Sequence, residues 1–444
     1  MVLTKERSFM IIIKNTKKVN LFKKEEFEQV HLVIEDHKIV DILSSDENVE
    51  EKYKKELEEA NGTCQLIDAK GLFAGPGLVD VHVHFRDPGF TYKEDLHTGA
   101  RAAARGGYTS VILMANTKPC VDNEETLTYI LEKGKETPIH LLTCACITKG
   151  MKGEELVDME YLKDQGAIGF TDDGVPILSK DLVVRAMEKA KELDVILSFH
   201  EEDPAYIKQN GINAGDVATK LGLEGSNREA EITMVKRDLE LAMETGAKIN
   251  LQHISTKEAV ELIRAAKKDC NNIYTEATPH HIYLTQEAVL KHNTLAKMNP
   301  PLRTKEDQEA IVEGLVDGTI DFIATDHAPH SREEKERAFA EAPSGIIGLE
   351  TAFSICMTAL YQSGKMALSK IFERMSYAPS KAYGLEGGEL EIGKPADLIL
   401  FDPNEKVTYD SFLSKSWNSP FLGETFYGKI NLTICDGNIV YSDL

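Results

Sequence analysis

The sequence has no apolar run long enough to cross a membrane. Its longest such stretches, for example residues 10–13, fall far short of the roughly 20 apolar residues that a spanning helix needs. The beginning of the chain also shows no signal pattern followed by a cleavage site. We therefore predict a protein that does not span a membrane, with a cytoplasmic location by default.

Positive charge is scarce as well. The 51 Lys and Arg residues are outnumbered by 73 Asp and Glu residues, which gives a formal net charge of -22 at pH 7. Nucleic-acid binding needs a concentrated basic surface, so this balance argues against nucleic acid as a general partner. An anionic substrate would need a local cation in such an acidic chain.

The chain has few cysteines, and they are scattered. Of its seven cysteines, the closest pair, Cys144 and Cys146, has one residue between its members, whereas redox and zinc-knuckle motifs have two. We predict reduced thiols in the core, with metal ligation as the alternative.

What is present indicates two domains. The hydrophobic content of 42% and charged content of 28% are typical of a soluble globular protein, and 444 residues hold a barrel of roughly 250 residues plus a smaller domain. Short β-rich runs before residue 66 are followed by a charged helical stretch at 49–60. Similar runs return at 396–401 and 432–435, separated by turn-forming residues at 402–404. The two ends are therefore predicted to form one composite β-sandwich domain.

Between the ends, strand-like and helix-like segments alternate. Helical patterns occur, for example, at 181–193, 229–246 and 257–268. Eight strand–helix units predict an α/β fold in which a parallel sheet closes into a (β/α)₈ barrel. The expected domain boundaries are 1–73 and 383–444 for the two parts of the β-sandwich and 74–382 for the barrel. The strand candidates are 77–85, 109–115, 139–146, 167–171, 195–200, 248–254, 272–277 and 321–325.

Six side chains with metal-binding chemistry fall at or just beyond the ends of these strands. The C-terminal end of the strands is where barrel enzymes build their active sites. Residues two apart on a strand face the same way, so the first two imidazoles should point into one mouth. The six residues are His82, His84, Asp173, His200, His253 and Asp326.

Such a cluster of imidazoles and carboxylates predicts a metal centre. In a low-dielectric mouth these groups would repel one another or stay unsatisfied, whereas divalent cations would compensate them. Nitrogen and carboxylate ligands without thiolates suit zinc, with manganese or cobalt as alternatives. A bridging water there would have its pKa lowered toward neutrality, and an aspartate at the mouth could pass its proton to a leaving nitrogen.

The remaining histidines carry weaker expectations. His280 and His281 follow Pro279 after the seventh strand and are predicted to pack or to support the ligands. A lone histidine is more often a hydrogen-bonded core or surface residue than a ligand. The histidines predicted to have no special role are His31, His37, His97, His140 and His292.

The residues around the first two histidines, 75–89 (GPGLVDVHVHFRDPG), resemble the opening motif of the dihydroorotases of the amidohydrolase superfamily, in their long bacterial branch. Further motifs of that family follow in order over nearly the whole chain, and the ordered set is far more specific than any one of them. They are MANT at 114–117, FTDDG at 170–174, SFHE at 198–201, QHIS at 252–255, NPPLR at 299–303, ATDHAPH at 324–330 and GKPAD at 393–397.

The resemblance implies a reaction and a set of ligands. The reaction would be reversible closure of N-carbamoyl-L-aspartate to L-dihydroorotate in de novo pyrimidine synthesis, by a metal-bound hydroxide mechanism with two zinc ions per subunit. His82 and His84 would hold the first metal with Asp326, which would also be the catalytic proton shuttle. His200 and His253 would hold the second.

The resemblance also implies the substrate contacts. Arg86 would pair with the substrate carboxylate, where a guanidinium can form two parallel hydrogen bonds. The plainer alternative for Arg86 is a surface salt bridge with a neighbour such as Asp87. The residues expected to bind substrate are His84, Arg86, Asn116, Asn299, His330, Ser344 and Gly345.

The sequence departs from the family pattern at two places. Many members of the superfamily bridge the metals with a carboxylated lysine on the fourth strand, but residues 167–174 contain no lysine. Asp172 or Asp173 must take that place, and the resemblance favours Asp173. Where the branch often has an aromatic residue before the ring-binding glycine, this chain has Ser344, so that contact can come only from the backbone.

Two other functions compete with this prediction. A hydantoinase, dihydropyrimidinase or allantoinase would share the barrel and the paired histidines, but would not need Arg86. An inactive scaffold subunit for a carbamoyltransferase would be expected to have lost metal ligands, and all six are present here. The expected partner is a small-molecule substrate, with a homodimer and an aspartate carbamoyltransferase complex as further expectations.

Overall fold

The computed structural model describes residues 9–58 and 64–444. The sixteen strands in this part of the chain are β1 (Met10–Val19), β2 (Phe27–Glu35), β3 (Lys38–Ser44), β4 (Cys64–Asp68), β5 (Phe73–Pro76), β6 (Leu78–Val83), β7 (Tyr108–Leu113), β8 (His140–Thr143), β9 (Gly169–Thr171), β10 (Ile196–Phe199), β11 (Lys248–Leu251), β12 (Ile273–Ala277), β13 (Phe322–Ile323), β14 (Leu398–Thr408), β15 (Thr425–Cys435) and β16 (Asn438–Ser442).

Helices separate most of these strands. The α-helices are α1 (Val49–Lys52), α2 (Lys54–Glu58), α3 (Leu96–Arg105), α4 (Glu124–Gly134), α5 (Met159–Asp164), α6 (Lys180–Leu193), α7 (Asp216–Lys220), α8 (Glu229–Thr245), α9 (Lys257–Ala266), α10 (Pro279–Tyr283), α11 (Ala288–His292), α12 (Lys305–Asp317), α13 (Arg332–Lys335), α14 (Ala352–Cys356), α15 (Leu368–Phe372) and α16 (Ala378–Ala382). The predicted helix at 49–60 corresponds to α1 and α2, and its last two positions lie outside the described residues.

The strands β6 to β13 close into the predicted barrel. They pair in parallel as β6-β7-β8 and as β9 to β13. One seam is joined by the amide of Ala145, which donates to the carbonyl of Gly169 at 3.0 Å, and the other by the amide of His84, which donates to the carbonyl of His327 at 2.9 Å. All six residues of β6 are buried, as expected for parallel strands covered on both faces. The prediction of a (β/α)₈ barrel is confirmed.

Several helices cover the barrel with one apolar face. In α6, for example, the side chain of Ser179 caps the first turn by accepting from the amide of Leu182, and the buried residues recur at intervals of three and four, the spacing of one helix face. The predicted helices at 181–193, 229–246 and 257–268 correspond to α6, α8 and α9.

The two ends of the chain form one composite β domain, as predicted. Its eight strands follow the order β16-β15-β14-β5-β1-β2-β3, and β4 pairs with β1 beside β5. Apolar side chains from β1 and β2 share one core with side chains from β14 and β15. Because β5 ends at Pro76 and β6 begins at Leu78, this domain leads directly into the first barrel strand.

The segment at 402–404 differs from its prediction as a turn between strands. It lies inside β14, which continues to Thr408 across a register shift between Asp402 and Lys406. The side chain of Asp402 accepts from the amides of Asn404 and Glu405 at 2.8 and 3.2 Å. The Asp402 side chain therefore makes the hydrogen bonds that are typical of a turn, but these residues form a bulge within one strand.

None of the helices within 9–58 and 64–444 is both long and apolar enough to cross a membrane.

Candidate metal centre and substrate cavity

The six candidate ligands lie at one end of the barrel. His82 is in β6, His84 follows β6 directly, and His200 follows β10 directly. Asp173 and His253 come two residues after β9 and β11, and Asp326 comes three residues after β13. Since parallel strands present their C-terminal ends at the same rim, the loops leaving the strands bring these six side chains together.

Asp173 stands at the centre of this group. Its carboxylate lies 3.5 Å from Nε2 of His82 and of His84, 3.6 Å from Nδ1 of His200 and 3.9 Å from Nε2 of His253. Two three-residue groups with metal-binding spacing share it: the first adds His82 and His84, the second His200 and His253. All five side chains are buried. Asp173 is thus the residue that the two groups have in common.

Asp172 points the other way. Its carboxylate accepts from the amides of Ile147 and Thr148 at 2.8 and 3.1 Å, and from the Thr148 hydroxyl. Burial raises the pKa of Asp172 to about 6, against the lowering effect of these hydrogen bonds. Gly174, at a φ of +82°, then turns the chain in a region that favours glycine. Of the two aspartates, only Asp173 reaches the histidines.

Hydrogen bonds fix which nitrogen of three histidines faces the centre. Nδ1 of His82 donates to Glu276 at 2.5 Å, Nδ1 of His84 donates to Asn116 at 2.9 Å, and Nε2 of His200 donates to Glu202 at 3.1 Å. The other ring nitrogen of each residue therefore faces Asp173. Acceptors that hold the outer nitrogen in this way are characteristic of metal-binding histidines.

The residues have the donor set of a divalent-metal centre. Nε2 of His82 is buried and makes no hydrogen bond among the described residues. Nδ1 of His200 and Nε2 of His253 lie 3.0 Å apart, so the two nitrogens can share either a proton or a cation. Although burial lowers the pKa of His82, Glu276 and Asp173 raise it well above its ordinary value. The electrostatic field of the cluster therefore attracts a cation.

Asp326 completes the first group. Its Oδ1 lies 3.0 Å from Nε2 of His84 and 3.5 Å from Nε2 of His82. Asp326, His253 and Arg86 have φ values of +48°, +33° and +59°, in a region that non-glycine residues rarely adopt. Such backbone strain persists where the surrounding structure over-determines it, and it clusters at functional sites.

A cavity of about 130 Å³ opens beside the candidate ligands. Its volume suits a small ring compound rather than a polymer. Of the predicted substrate-binding residues, all but His330 line it. His330 lies behind the wall, where its Nε2 donates to the carbonyl of Ser344 at 2.8 Å, and burial lowers its pKa to about 3. His330 is therefore neutral, and its hydrogen bond positions the cavity wall at Ser344.

Arg86 is a half-buried cation that lines this cavity. Its Nε donates to the carbonyl of Pro329 at 3.3 Å, and no acidic side chain of the described chain lies within salt-bridge distance of it. Asp87, the alternative partner, binds Lys133 Nζ at 2.6 Å and the Tyr129 hydroxyl at 2.9 Å instead. Asp326, Asp173 and Glu334 lie near enough to raise the pKa of Arg86 against the lowering effect of its desolvation, but none of them pairs with it directly. Its guanidinium is therefore available to an anionic ligand in the cavity.

The two predicted substrate-binding asparagines differ. The amide of Asn116 donates to Asp173 at 3.0 Å while its oxygen accepts from His84, so its side chain already orients two candidate ligands. The side-chain oxygen of Asn299 is buried and has no partner among the described residues. Asn299 is therefore free to accept a hydrogen bond from a substrate.

Comparison with known proteins places the chain in a family. The model of the amidohydrolase family matches residues 73–440. A dihydroorotase of Clostridioides difficile (strain 630) is 52% identical over 433 residues, which cover 98% of this chain and 100% of the relative. A dihydroorotase of Clostridium acetobutylicum is 53% identical over 381 residues, which cover 85% of this chain and 90% of the relative.

The chain belongs to the amidohydrolase family. Solved structures of this fold include an L-hydantoinase (dihydropyrimidinase) of Arthrobacter aurescens, with a TM-score of 0.85 and 22% identity over 98% of this chain and 96% of that one. A dihydropyrimidinase of Brevibacillus agri has a TM-score of 0.82 and 21% identity, over 98% of this chain and 95% of that one. At these identities the likeness establishes the fold alone.

Two acidic residues of this amidohydrolase, which the sequence motifs did not indicate, hold candidate metal ligands in place. Glu276, in β12, binds His82 and also accepts from the Asn250 side chain at 2.9 Å and from the amide of His253 at 3.3 Å. Glu202 holds the outer nitrogen of His200. A glutamate inside a strand with no other charged residue was the available signal for Glu276, since a buried carboxylate needs a partner.

The C-terminal segment also reaches the cavity wall. The side-chain amide of Asn418 donates to the carbonyls of Ala328 and Gly345, both at 3.0 Å. Nζ of the buried Lys335 donates to the carbonyls of Pro343 and Gly345, also at 3.0 Å. Gly345 has a φ of +126°, and a Cβ there would lie 2.7 Å from that of Ala328. The wall thus requires a glycine, and residues distant in sequence hold it.

Glu276→Gln is expected to weaken metal binding about 10- to 100-fold, because the amide removes the charge that orients His82. Metal affinity measured by competition with a chelator tests this. Glu350→Gln is the matched control, since Glu350 is buried and accepts from backbone amides at Leu413 and Ser414, away from the cavity. An unchanged metal affinity in Glu276→Gln would show that Glu276 does not support the metal site through His82.

Asp173→Ala is expected to bind less metal than Asp172→Ala, because only Asp173 faces the histidines. The ion held otherwise by His200 and His253 should be lost first, since the other ion keeps three ligands. Metal content per chain for the two variants decides between them. The assignment fails if Asp172→Ala empties the site while Asp173→Ala leaves it full.

Proposed function

We propose that this protein is a dihydroorotase, which interconverts N-carbamoyl-L-aspartate and L-dihydroorotate in de novo pyrimidine synthesis. The named relatives support this reaction, as does the ligand set, which has the nitrogen and oxygen donors that metal-dependent amide hydrolysis needs.

The observation that carries the proposal is Arg86, a half-buried cation on the cavity wall that forms no direct ion pair with an acidic side chain of the described chain. Dihydroorotate retains a carboxylate on its ring, whereas the rings of hydantoin and dihydrouracil do not. A guanidinium pairs with a carboxylate through two parallel hydrogen bonds. Arg86 therefore favours the carboxylated ring over the neutral rings of the rival functions.

We propose two zinc ions per subunit, with manganese and cobalt as alternatives. His82, His84 and Asp326 would hold one, His200 and His253 the other, and Asp173 would contact both. When bound, such ions polarise an amide carbonyl and lower the pKa of a coordinated water.

The chain's own residues complete the chemistry. In ring opening, the Asp326 carboxylate accepts a proton from the attacking water and delivers it to the ring nitrogen as the carbon–nitrogen bond breaks. In ring closure, the carbamoyl nitrogen forms the bond to the substrate's carboxyl carbon, and the Asp326 carboxylate takes the proton that this nitrogen loses. Asp326 then gives the proton to the hydroxide that departs as the carbon–oxygen bond breaks, so that water leaves. Arg86 and Asn299 hold the substrate, and the backbone at Ser344 and Gly345 closes the wall behind the ring.

The wider setting is also part of the proposal. We propose a cytoplasmic homodimer that can associate with an aspartate carbamoyltransferase, and domain boundaries at 73/74 and 382/383. Light scattering on the purified chain, alone and mixed with such a transferase, tests the assembly.

The activity is tested by chelating the metals, adding back zinc, and following both directions of the reaction. We expect L-dihydroorotate and N-carbamoyl-L-aspartate to interconvert, the chelator to abolish this, and zinc to restore it. A folded, metal-loaded protein that converts neither compound would contradict the proposal.

A further inference from the structure

A second cluster of metal-binding side chains lies at the other end of the barrel. His140 is the first residue of β8, Asp397 directly precedes β14, and Cys435 is the last residue of β15. Their ligand atoms all lie within 4.8 Å of one another. The N-terminal ends of barrel strands are opposite the mouth, so this cluster is separate from the centre around Asp173.

The geometry within the cluster is close to that of a metal site. Nε2 of His140 lies 3.0 and 3.3 Å from the two oxygens of Asp397. The amide of Asp436 donates to Oδ1 of Asp397 at 2.7 Å, which fixes the carboxylate and leaves Oδ2 toward the imidazole. Asp397 is buried, whereas the His140 side chain is 41% exposed.

His140 and Asp397 form an ion pair, and a third potential ligand lies beside them. Cys435 is buried, its thiol donates a hydrogen bond to the carbonyl of Thr109 at 3.4 Å, and its sulfur lies within 4.8 Å of the ligand atoms of the other two residues. Histidine nitrogen, carboxylate oxygen and thiolate sulfur together are the donor types of zinc-class ions. The same combination does not suit magnesium or calcium, which prefer oxygen ligands.

The surroundings give a cation access and a place for a fourth ligand. A cavity of about 940 Å³ adjoins the cluster, and His140, Cys435 and Asp436 are among its lining residues. A zinc site with three protein ligands takes water in the remaining tetrahedral position. The cavity can supply that water and lets the ion reach the ligands from solvent.

We propose that His140, Asp397 and Cys435 form a third metal site, which binds a zinc-class divalent cation through nitrogen, oxygen and sulfur, with water as the fourth ligand. Binding displaces the thiol proton of Cys435 and any proton on His140 into solvent. Because His140 belongs to the barrel and the other two ligands to the composite sheet, the ion would fasten the two domains together.

Cobalt substitution tests this site without relying on activity. A thiolate ligand gives cobalt(II) a charge-transfer band in the near ultraviolet, and none of the candidate ligands around Asp173 is a thiol. We expect the cobalt-loaded full chain to show this band and to hold about one metal equivalent more than Cys435→Ala. The variant should lose the band and keep the metals at the barrel mouth.

Matched variants make the result unambiguous. Cys356→Ala removes another buried thiol, one outside the three-residue metal groups found in the described chain, and should keep the band. His140→Gln alters a partly exposed side chain and should lose the extra equivalent even if Cys435→Ala folds poorly. The proposal is overturned if the cobalt-saturated wild type shows no thiolate band, or if His140→Gln retains full metal content and the band.

Discussion

Asp326→Asn is expected to lose roughly 10²- to 10⁴-fold of turnover in both directions while retaining the fold. The amide keeps the shape of the side chain and one oxygen toward His84, but it cannot accept and return a proton. Rates of ring opening and ring closure, measured with metal content and thermal unfolding, separate loss of proton transfer from loss of metal.

Asp321→Asn provides the control for this result. Asp321 precedes β13, at the other end of the same strand, and forms an ion pair with Lys267. The same chemical change there should affect stability and leave turnover largely intact. Substantial residual activity of a metal-loaded Asp326→Asn in both directions would contradict the shuttle role.

Arg86→Ala is expected to cost roughly 2–5 kcal/mol in binding the transition state of dihydroorotate hydrolysis, because one partner of a buried charge pair is removed. At 1.4 kcal/mol per factor of ten, kcat/KM should fall roughly 30- to 4,000-fold. Arg86→Lys should also be impaired, since an ammonium group cannot form the paired hydrogen bonds of a guanidinium.

The selectivity of this loss distinguishes recognition from a structural role. Any residual turnover of dihydrouracil, which lacks the carboxylate, should be little affected by Arg86→Ala. Arg101→Ala is the control, because Arg101 is an exposed arginine on α3. If Arg86→Ala turned over dihydroorotate normally, Arg86 would not be the residue that selects the carboxylated ring. The main distinction between this function and its rivals would then be removed.

The barrel mouth could be predicted from sequence because its chemistry follows from position. Strand ends are visible in the apolar pattern, and parallel strands must present those ends together. The choice of Asp173 over Asp172 depended on a resemblance, whereas in the structure the hydrogen bonds to Thr148 turn Asp172 away. Periodicity shows only that adjacent residues face opposite sides.

Features that depend on contacts between distant segments could not be predicted in this way. The strand β1 is longer than the short β-rich runs that the sequence indicates before residue 66. It continues to Val19 past a register shift between Ile13 and Thr16, and it pairs with β4 along its first half and with β5 along its second. Asn418 reaches the cavity wall from a loop whose path no local pattern determines. Asn116 supports candidate ligands, which only the three-dimensional neighbours reveal.

Comparison of four ring substrates on one metal-loaded preparation tests the central claim most directly. Here kcat/KM would be measured for L-dihydroorotate, hydantoin, dihydrouracil and allantoin, with metal content determined on the same sample. The account predicts that dihydroorotate is preferred by roughly 30-fold or more, as expected for a recognised carboxylate. Equal or faster turnover of one of the uncarboxylated rings would contradict it.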